Sequence, residues 1–99
     1  MNIRINAVRF DADTKLVQFI EKKVNKLGRY FDDIINAEVY LKLANNPELE
    51  NKIVEIRLDI PGTDLFAQKQ TKSFEESTDY AVDALKQQIL KHKEKLRGL

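Results

Sequence analysis

The chain contains 99 residues, of which 42% are hydrophobic and 33% charged, and its formal net charge at neutral pH is only +1. This length and composition predict one folded domain over residues 1–99, with a core of its own, and exclude a disordered chain. The absence of cysteine and the single histidine exclude disulfides, thiol catalysis and zinc sites built from cysteines or several histidines.

The first third of the chain predicts a strand followed by a helix. Residues 2–8 alternate between apolar and polar side chains, as a strand with one buried face does. Oxygen-bearing side chains at 11–14 can cap a helix that begins near Asp13. Gly28 lies where a helix often ends in a left-handed conformation. The apolar stripe of this helix consists of Leu16, Phe19, Ile20, Val24 and Leu27.

The middle of the chain predicts an antiparallel hairpin and a further strand. Residues 37–43 and 54–60 alternate between apolar and polar side chains, and the segment 45–51 between them contains the Asn and Pro residues typical of a turn. Another turn at 61–64 leads to residues 65–71, whose polarity indicates an edge strand or an exposed sheet face.

The last quarter predicts one long helix, which completes an α+β fold of order β-α-β-β-β-α. Ser73 and Glu76 form the Ser-x-x-Glu pattern of a capping box, and Gly98 marks the expected end of the helix. Each clear strand has one apolar face, so we expect two helices packed on one face of a four-stranded mixed sheet. A right-handed crossover through the first helix should make the first two strands parallel. The apolar stripe of the last helix consists of Ala81, Val82, Leu85, Ile89 and Leu96.

Charge is segregated along the chain although the total is close to zero. Residues 15–29 carry five cations against one anion, residues 86–97 also five against one, and residues 32–64 eight anions against three cations. Cations near a helix C-terminus complement the helix dipole, but this explains only part of either cluster. The excess predicts a surface that meets a polyanion, with a merely solvated face as the alternative. The candidate contact residues are Lys22, Lys23, Lys26, Arg29, Lys86, Lys91, His92, Lys93, Lys95 and Arg97.

Other candidate sites have simpler structural explanations. Asp79 and Asp83 are better explained as charges near a helix N-terminus than as a catalytic acid pair. We expect His92 to be half-buried, with nucleic-acid contact as the alternative, and Tyr30 and Phe31 to pack at the core edge rather than to stack on bases. The sequence therefore predicts no enzyme, metal site, cofactor or small-molecule substrate. No secretory leader and no apolar run of ~20 residues are visible, which favours a cytoplasmic protein without a membrane segment.

Three segments carry a pattern that recurs in a known protein family. The first is KVNKLGRYFDDI at 23–34, and the second is the hairpin of AEVYLKL at 37–43 with VEIRLDI at 54–60. The third, DYAVDALKQQILKHKEKL at 79–96, is similar to the signature Asp-x₃-Asp-x-Leu-x₂-Gln-Ile/Leu-x-Lys-His/Tyr-Lys. Together they resemble the ribosome hibernation promoting factor family, which includes ribosome-associated inhibitor A and is also called the sigma-54 modulation protein family. The chain departs from the family pattern at 73–75, where a tyrosine is absent, so the contacts of that tyrosine are not carried over.

This resemblance implies a fold similar to double-stranded RNA-binding domains with an added first strand. It implies a protein that binds the small ribosomal subunit, through rRNA and ribosomal proteins, at the decoding region. There the protein would sterically block mRNA and tRNA in stationary phase or stress. The chain looks like the short form of the family, so we expect a monomer when free that does not pair ribosomes by itself. Two alternatives stay open, a generic double-stranded RNA-binding module and a protein-interaction domain that uses the acidic hairpin.

Overall fold

The computed structural model describes residues 1–45 and 49–97. Within these ranges the chain forms strands and helices in the predicted order. The elements are β1 (Asn2–Ala7), α1 (Thr14–Asn25), a 3-10 turn (Lys26–Arg29), β2 (Asn36–Leu43), β3 (Lys52–Ile60), β4 (Thr63–Thr71) and α2 (Phe74–Leu96). Part of the predicted turn at 45–51, namely Asn46, Pro47 and Glu48, and the predicted helix end at Gly98 lie outside the described residues.

The strands form one mixed sheet in the order β1-β2-β3-β4. β1 lies parallel to β2, with Ile3 opposite Ala37 and Ile5 opposite Val39, whereas the pairs β2–β3 and β3–β4 are antiparallel. A parallel pair needs a long crossover, which α1 provides, while the antiparallel pairs need only short loops. The predicted α+β fold with a four-stranded mixed sheet is confirmed.

Both helices cover the same face of this sheet. Alternate strand residues are buried, and Val39 on β2 and Ile56 on β3 are both 0% exposed. α2 packs on β3 and β4, while α1 packs beside α2 and against β1. Burial of this apolar face stabilises the fold by roughly 25 cal/mol for each Å² removed from water. The opposite face remains polar, and on it Lys42 Nζ lies 3.0 Å from Glu55 Oε2.

Ser73 caps the N-terminus of α2 as predicted, but Thr71 replaces Glu76 in the second half of the capping box. The Ser73 hydroxyl accepts a hydrogen bond from the Glu76 amide at 3.1 Å, as predicted. The Ser73 amide, however, donates to Thr71 Oγ1 at 3.3 Å. Ser77 Oγ donates to the Lys52 carbonyl at 2.7 Å and lies 2.8 Å from Thr71 Oγ1. These bonds join the start of α2 to the start of β3 and the end of β4.

The end of α1 differs from the sequence prediction. Gly28 lies inside the 3-10 turn, and among the glycines that the structure describes only Gly62 has a positive φ, of 87°. In the turn, the Tyr30 amide donates to the Leu27 carbonyl at 3.0 Å. Such a tightened last turn satisfies helix-end carbonyls while every residue keeps a negative φ. The prediction of a left-handed Gly28 was therefore wrong.

Alanine substitutions at these two glycines should affect stability differently. Gly28→Ala should be neutral or stabilise the protein by up to about 1 kcal/mol, because the new Cβ would meet only Met1 Cε, at 3.7 Å. Gly62→Ala should destabilise it by about 1–2 kcal/mol, because an L-residue disfavours positive φ. Urea denaturation of both variants measures the two free energies. A greater loss at Gly28 than at Gly62 would contradict this account of the turn.

Candidate nucleic-acid interface

The end of the first helix carries an open basic surface, here called the α1 basic face. Lys22, Asn25, Lys26 and Arg29 line a cavity of about 280 Å³ on this surface. A spacing of three and four residues brings side chains to one side of a helix, and the 3-10 turn carries Arg29 to the same cavity. The three cations are exposed, and none of them forms an ion pair within residues 1–45 and 49–97. The face can thus offer three full charges and an amide to one anionic ligand.

A groove between α1 and α2 is less basic than its lysines suggest. Lys23 Nζ lies 3.1 Å from Asp79 Oδ1, and Lys86 Nζ lies 4.9 Å from the centre of the Tyr30 ring. Asp79 therefore joins the two helices, whereas the first turn of α2 holds two glutamates that complement its N-terminus. This contact corrects the sequence interpretation of Asp79, and it offsets part of the charge of Lys23. The groove, of about 170 Å³, is lined by Lys23, Lys26, Leu27, Tyr30, Asp79, Val82, Asp83 and Lys86.

The far end of the basic surface is lined by aromatic and acidic residues. Phe31 and His92 meet edge to face, with ring centres 5.6 Å apart and ring planes at 82°. Tyr30 and Phe31 pack against the core and His92 is half-buried, as expected, whereas the contact of His92 with nucleic acid stays a prediction. This packing ties the segment after α1 to the second half of α2. The same packing places Arg29 and Lys93 at one cavity of about 270 Å³. This cavity is lined by Arg29, Tyr30, Phe31, Asp32, Asp33 and Lys93.

The cations of α2 divide between two flanks of the helix. Lys86 and Lys93 line cavities shared with the α1 side. Gln88 contacts β4 on the other flank, and Lys91 and Lys95 follow it by three and seven residues, which places them on that same flank. The fold therefore does not gather all ten predicted contact residues on one continuous surface. The six that it groups around α1 are Lys22, Lys23, Lys26, Arg29, Lys86 and Lys93.

Several residues that were not selected from the sequence also shape this region. Asn25 lies within the α1 basic face, and its helical spacing from the neighbouring lysines could have identified it. The aspartates at 32–33 place two carboxylates at the end of the basic surface, a position that only the fold reveals. The Gln88 amide accepts from the Phe66 N–H at 3.3 Å and donates to the Phe66 carbonyl at 2.8 Å. Gln88 thereby covers part of the free edge of β4.

The remaining described surface has few features of other functional classes. No helix in residues 1–45 and 49–97 is long and apolar enough to cross a membrane. Within the same part of the chain, no group of three or more histidine, cysteine, aspartate or glutamate side chains is placed to hold a metal ion. The polar face of the sheet has a cavity of about 230 Å³, where Asn36 donates to Asp59 at 3.2 Å. The basic surface is therefore the candidate site that the fold supports best.

Comparison with known proteins gives similarities over nearly the whole chain. The family model described as sigma 54 modulation protein / S30EA ribosomal protein matches residues 3–97. A protein of Azotobacter vinelandii named ribosome hibernation promoting factor is 30% identical over 95 residues, which are 96% of this chain and 85% of that protein. A ribosome hibernation promotion factor of Bacillus subtilis is 32% identical over 98 residues, which are 97% of this chain but 50% of that protein.

A solved structure has the same fold. The N-terminal domain of Protein Y from Thermus thermophilus superposes with a TM-score of 0.77 and 29% sequence identity, over 90% of this chain and 96% of that one. The matched regions include the three segments on which the family resemblance was stated, and the resemblance is confirmed. Because the family model matches all but four terminal residues, the chain belongs to the sigma 54 modulation protein / S30EA ribosomal protein family.

Proposed function

We propose that this chain is a ribosome-associated translation inhibitor, a hibernation factor that binds the small ribosomal subunit at the decoding region. Bound there, it sterically blocks mRNA and tRNA in stationary phase or stress. The relatives named ribosome hibernation promoting factor support the ribosome as the partner. In this proposal, residues 1–99 form one ribosome-binding domain. The protein is cytoplasmic and is monomeric when it is not bound to a ribosome. Because the protein acts by occupying space, the proposal contains no catalytic step, cofactor, metal or small-molecule substrate.

The observation that carries this proposal is the α1 basic face. Lys22, Lys26 and Arg29 converge on one open cavity without a carboxylate partner among the described residues. A merely solvated helix face would favour cations interspersed with acids three or four residues away on the same helix. Cations that form no ion pair in the described part of the chain and meet at one concave site instead suit phosphate oxygens, to which ionised donors make strong hydrogen bonds. The α1 basic face therefore supports a nucleic-acid backbone as the ligand.

Phosphate contacts position a protein on RNA, whereas base contacts supply sequence specificity. Lysine and arginine dominate the proposed interface, so recognition depends mainly on the shape of the rRNA and the path of its backbone. The acidic segment at 32–33 lines the cavity of Arg29 and Lys93, so phosphate should bind more weakly there than at the α1 basic face, because carboxylates repel phosphate. The residues proposed to contact RNA are Lys22, Lys23, Lys26, Arg29, Lys86, Lys91, His92, Lys93, Lys95 and Arg97.

Binding to small ribosomal subunits should weaken steeply as salt rises. If about five cations meet rRNA phosphates, the slope of log K against log salt should be about −3.5 to −4.5, because bound cations release counterions from the RNA. Co-sedimentation with purified small subunits, at constant magnesium and increasing potassium, measures this slope. An affinity that does not change with salt would contradict a phosphate-binding surface.

A competition experiment separates the proposal from the two alternatives. The chain is mixed with small subunits and an excess of a 20-base-pair RNA duplex, and inhibition of cell-free translation is measured in parallel. We expect the chain to stay bound to the subunits and to inhibit translation. Transfer of the chain from the subunits to the duplex would identify a generic double-stranded RNA-binding module. Binding to subunits that survives charge reversal on both helices would instead favour a protein contact through the acidic hairpin.

A further inference from the structure

The second half of α2 extends beyond the core of the protein. The last fully covered residue of the helix is Ile89, at 1% exposed, whereas Leu90 is 39% and Leu96 65% exposed. Residues 90–97, here called the α2 extension, are half-buried or exposed throughout. At 1.5 Å for each residue, this segment is about 12 Å long. A partner can therefore reach the α2 extension from more than one side.

The four cations of the α2 extension form two rows. Lys91 and Lys95 are four residues apart, as are Lys93 and Arg97, so each pair lies along one flank of the helix. Lys91 and Lys93 are separated by about 200° around the helix axis, at about 100° for each residue. The two rows therefore point in nearly opposite directions. None of the four cations forms an ion pair in the part of the chain that the structure describes.

Two contacts hold α2 against rotation and so determine where each row points. On one flank, the Gln88 amide makes two hydrogen bonds to the backbone of Phe66 on β4. Between the two rows, about 100° from both Lys91 and Lys93, His92 packs edge to face on Phe31, which follows α1. The row of Lys91 and Lys95 continues the Gln88 flank. The row of Lys93 and Arg97 continues the flank that shares a cavity with Arg29.

We propose that the α2 extension inserts between two separate segments of RNA backbone, each bound by one row of cations. This inference rests on the proposed function and specifies the shape of its ligand. One backbone segment cannot meet both rows, because the body of the helix, about 10–12 Å across with its side chains, lies between them. The ligand is therefore a cleft with phosphates on both walls and about the width of one helix.

The arrangement does not suit a membrane surface. A helix that lies on a membrane keeps its cations on one side and its apolar residues on the other. In the α2 extension the cations occupy two opposed flanks, and the exposed Leu90 and Leu96 are about 120° apart around the axis. Such a helix has no single apolar face to bury in lipid, whereas opposed cations match two phosphate walls.

Short-range crosslinking tests the two walls directly. Because the chain has no cysteine, Lys91→Cys and Lys93→Cys each create a single thiol for an azidophenacyl photocrosslinker. Each labelled variant is bound to purified small ribosomal subunits, irradiated, and mapped by reverse transcription of the rRNA. We expect the two positions to crosslink to two different rRNA segments, and Glu50→Cys, in the loop before β3, to give neither crosslink. Crosslinks of both positions to one segment, to protein only, or to nothing would overturn the proposal.

Charge neutralisation gives an independent measurement. Two double variants are compared, Lys91→Gln with Lys95→Gln and Lys93→Gln with Arg97→Gln. Each should reduce the salt slope of binding by about 1.4–1.8, and the reductions should add in the fourfold variant. If one pair has no effect, only one flank meets RNA and the proposal is overturned. The double variant Lys22→Gln with Lys26→Gln tests the α1 basic face, and so distinguishes a failure of the insertion from a failure of the proposed function. Loss of binding in that variant alone would leave the proposed function intact and remove only the insertion.

Discussion

Lys22→Glu combined with Lys26→Glu should remove most of the affinity of this chain for small ribosomal subunits. Both lysines are exposed, line one cavity with Arg29 and lack an ion-pair partner among the described residues. A hydrogen bond to a charged group contributes about 1.5–3 kcal/mol, so each lost contact should raise Kd about 10- to 150-fold. The new carboxylates should also repel phosphate. The measurement is Kd from co-sedimentation, with inhibition of cell-free translation as the second readout.

The matched control is Lys69→Glu combined with Lys72→Glu, which changes the net charge by the same amount. Lys69 lies on β4 and Lys72 just after it, and both are exposed and outside the cavities of the basic surface. We expect the control to bind nearly as the parent does, apart from a small general charge effect. Equal losses in the two variants would mean that net charge, rather than the α1 basic face, determines binding. Thermal unfolding of both variants checks that each is folded.

Leu85→Ala should cause a large loss of stability. Leu85 is 0% exposed and belongs to the cluster of buried residues between the helices and the sheet. Truncation of a buried leucine removes apolar contacts and leaves a cavity, at a cost of about 2–5 kcal/mol. In a domain of this size the midpoint of thermal unfolding should fall by about 4–8 °C for each kcal/mol.

Leu90→Ala is the matched control for this substitution, because it removes the same atoms from a leucine that is 39% exposed on the same helix. Its cost should be well below that of Leu85→Ala, since surface substitutions usually change stability by less than about 0.5 kcal/mol. Val39→Ala, on the buried face of β2, should cost less than Leu85→Ala because fewer atoms are lost. Similar losses for Leu85→Ala and Leu90→Ala would show that the buried face of α2 is assigned wrongly.

Local patterns in the sequence were sufficient to predict the fold. The alternation at 37–43 and 54–60 predicted two strands with one buried face, and the structure buries Val39, Ile56 and their neighbours on that face. Asp13 caps α1 through the Leu16 amide at 2.8 Å, close to the predicted start of the helix. These predictions succeeded because periodicity and capping depend on residues only two to four positions apart. The parallel pairing of β1 and β2 then followed from the handedness of the crossover.

Tertiary structure decided which charges lie together and which are neutralised. Lys23 and Asp79 are 56 positions apart, and only the packing of α1 on α2 places their side chains 3.1 Å from each other. In the same way, the contact of Gln88 with β4 determines the rotation of α2, and hence which of its lysines face α1. Helical periodicity alone fixes the angles between side chains but not the direction in which the helix presents them. That direction depends on contacts between residues distant in sequence, which local patterns do not contain.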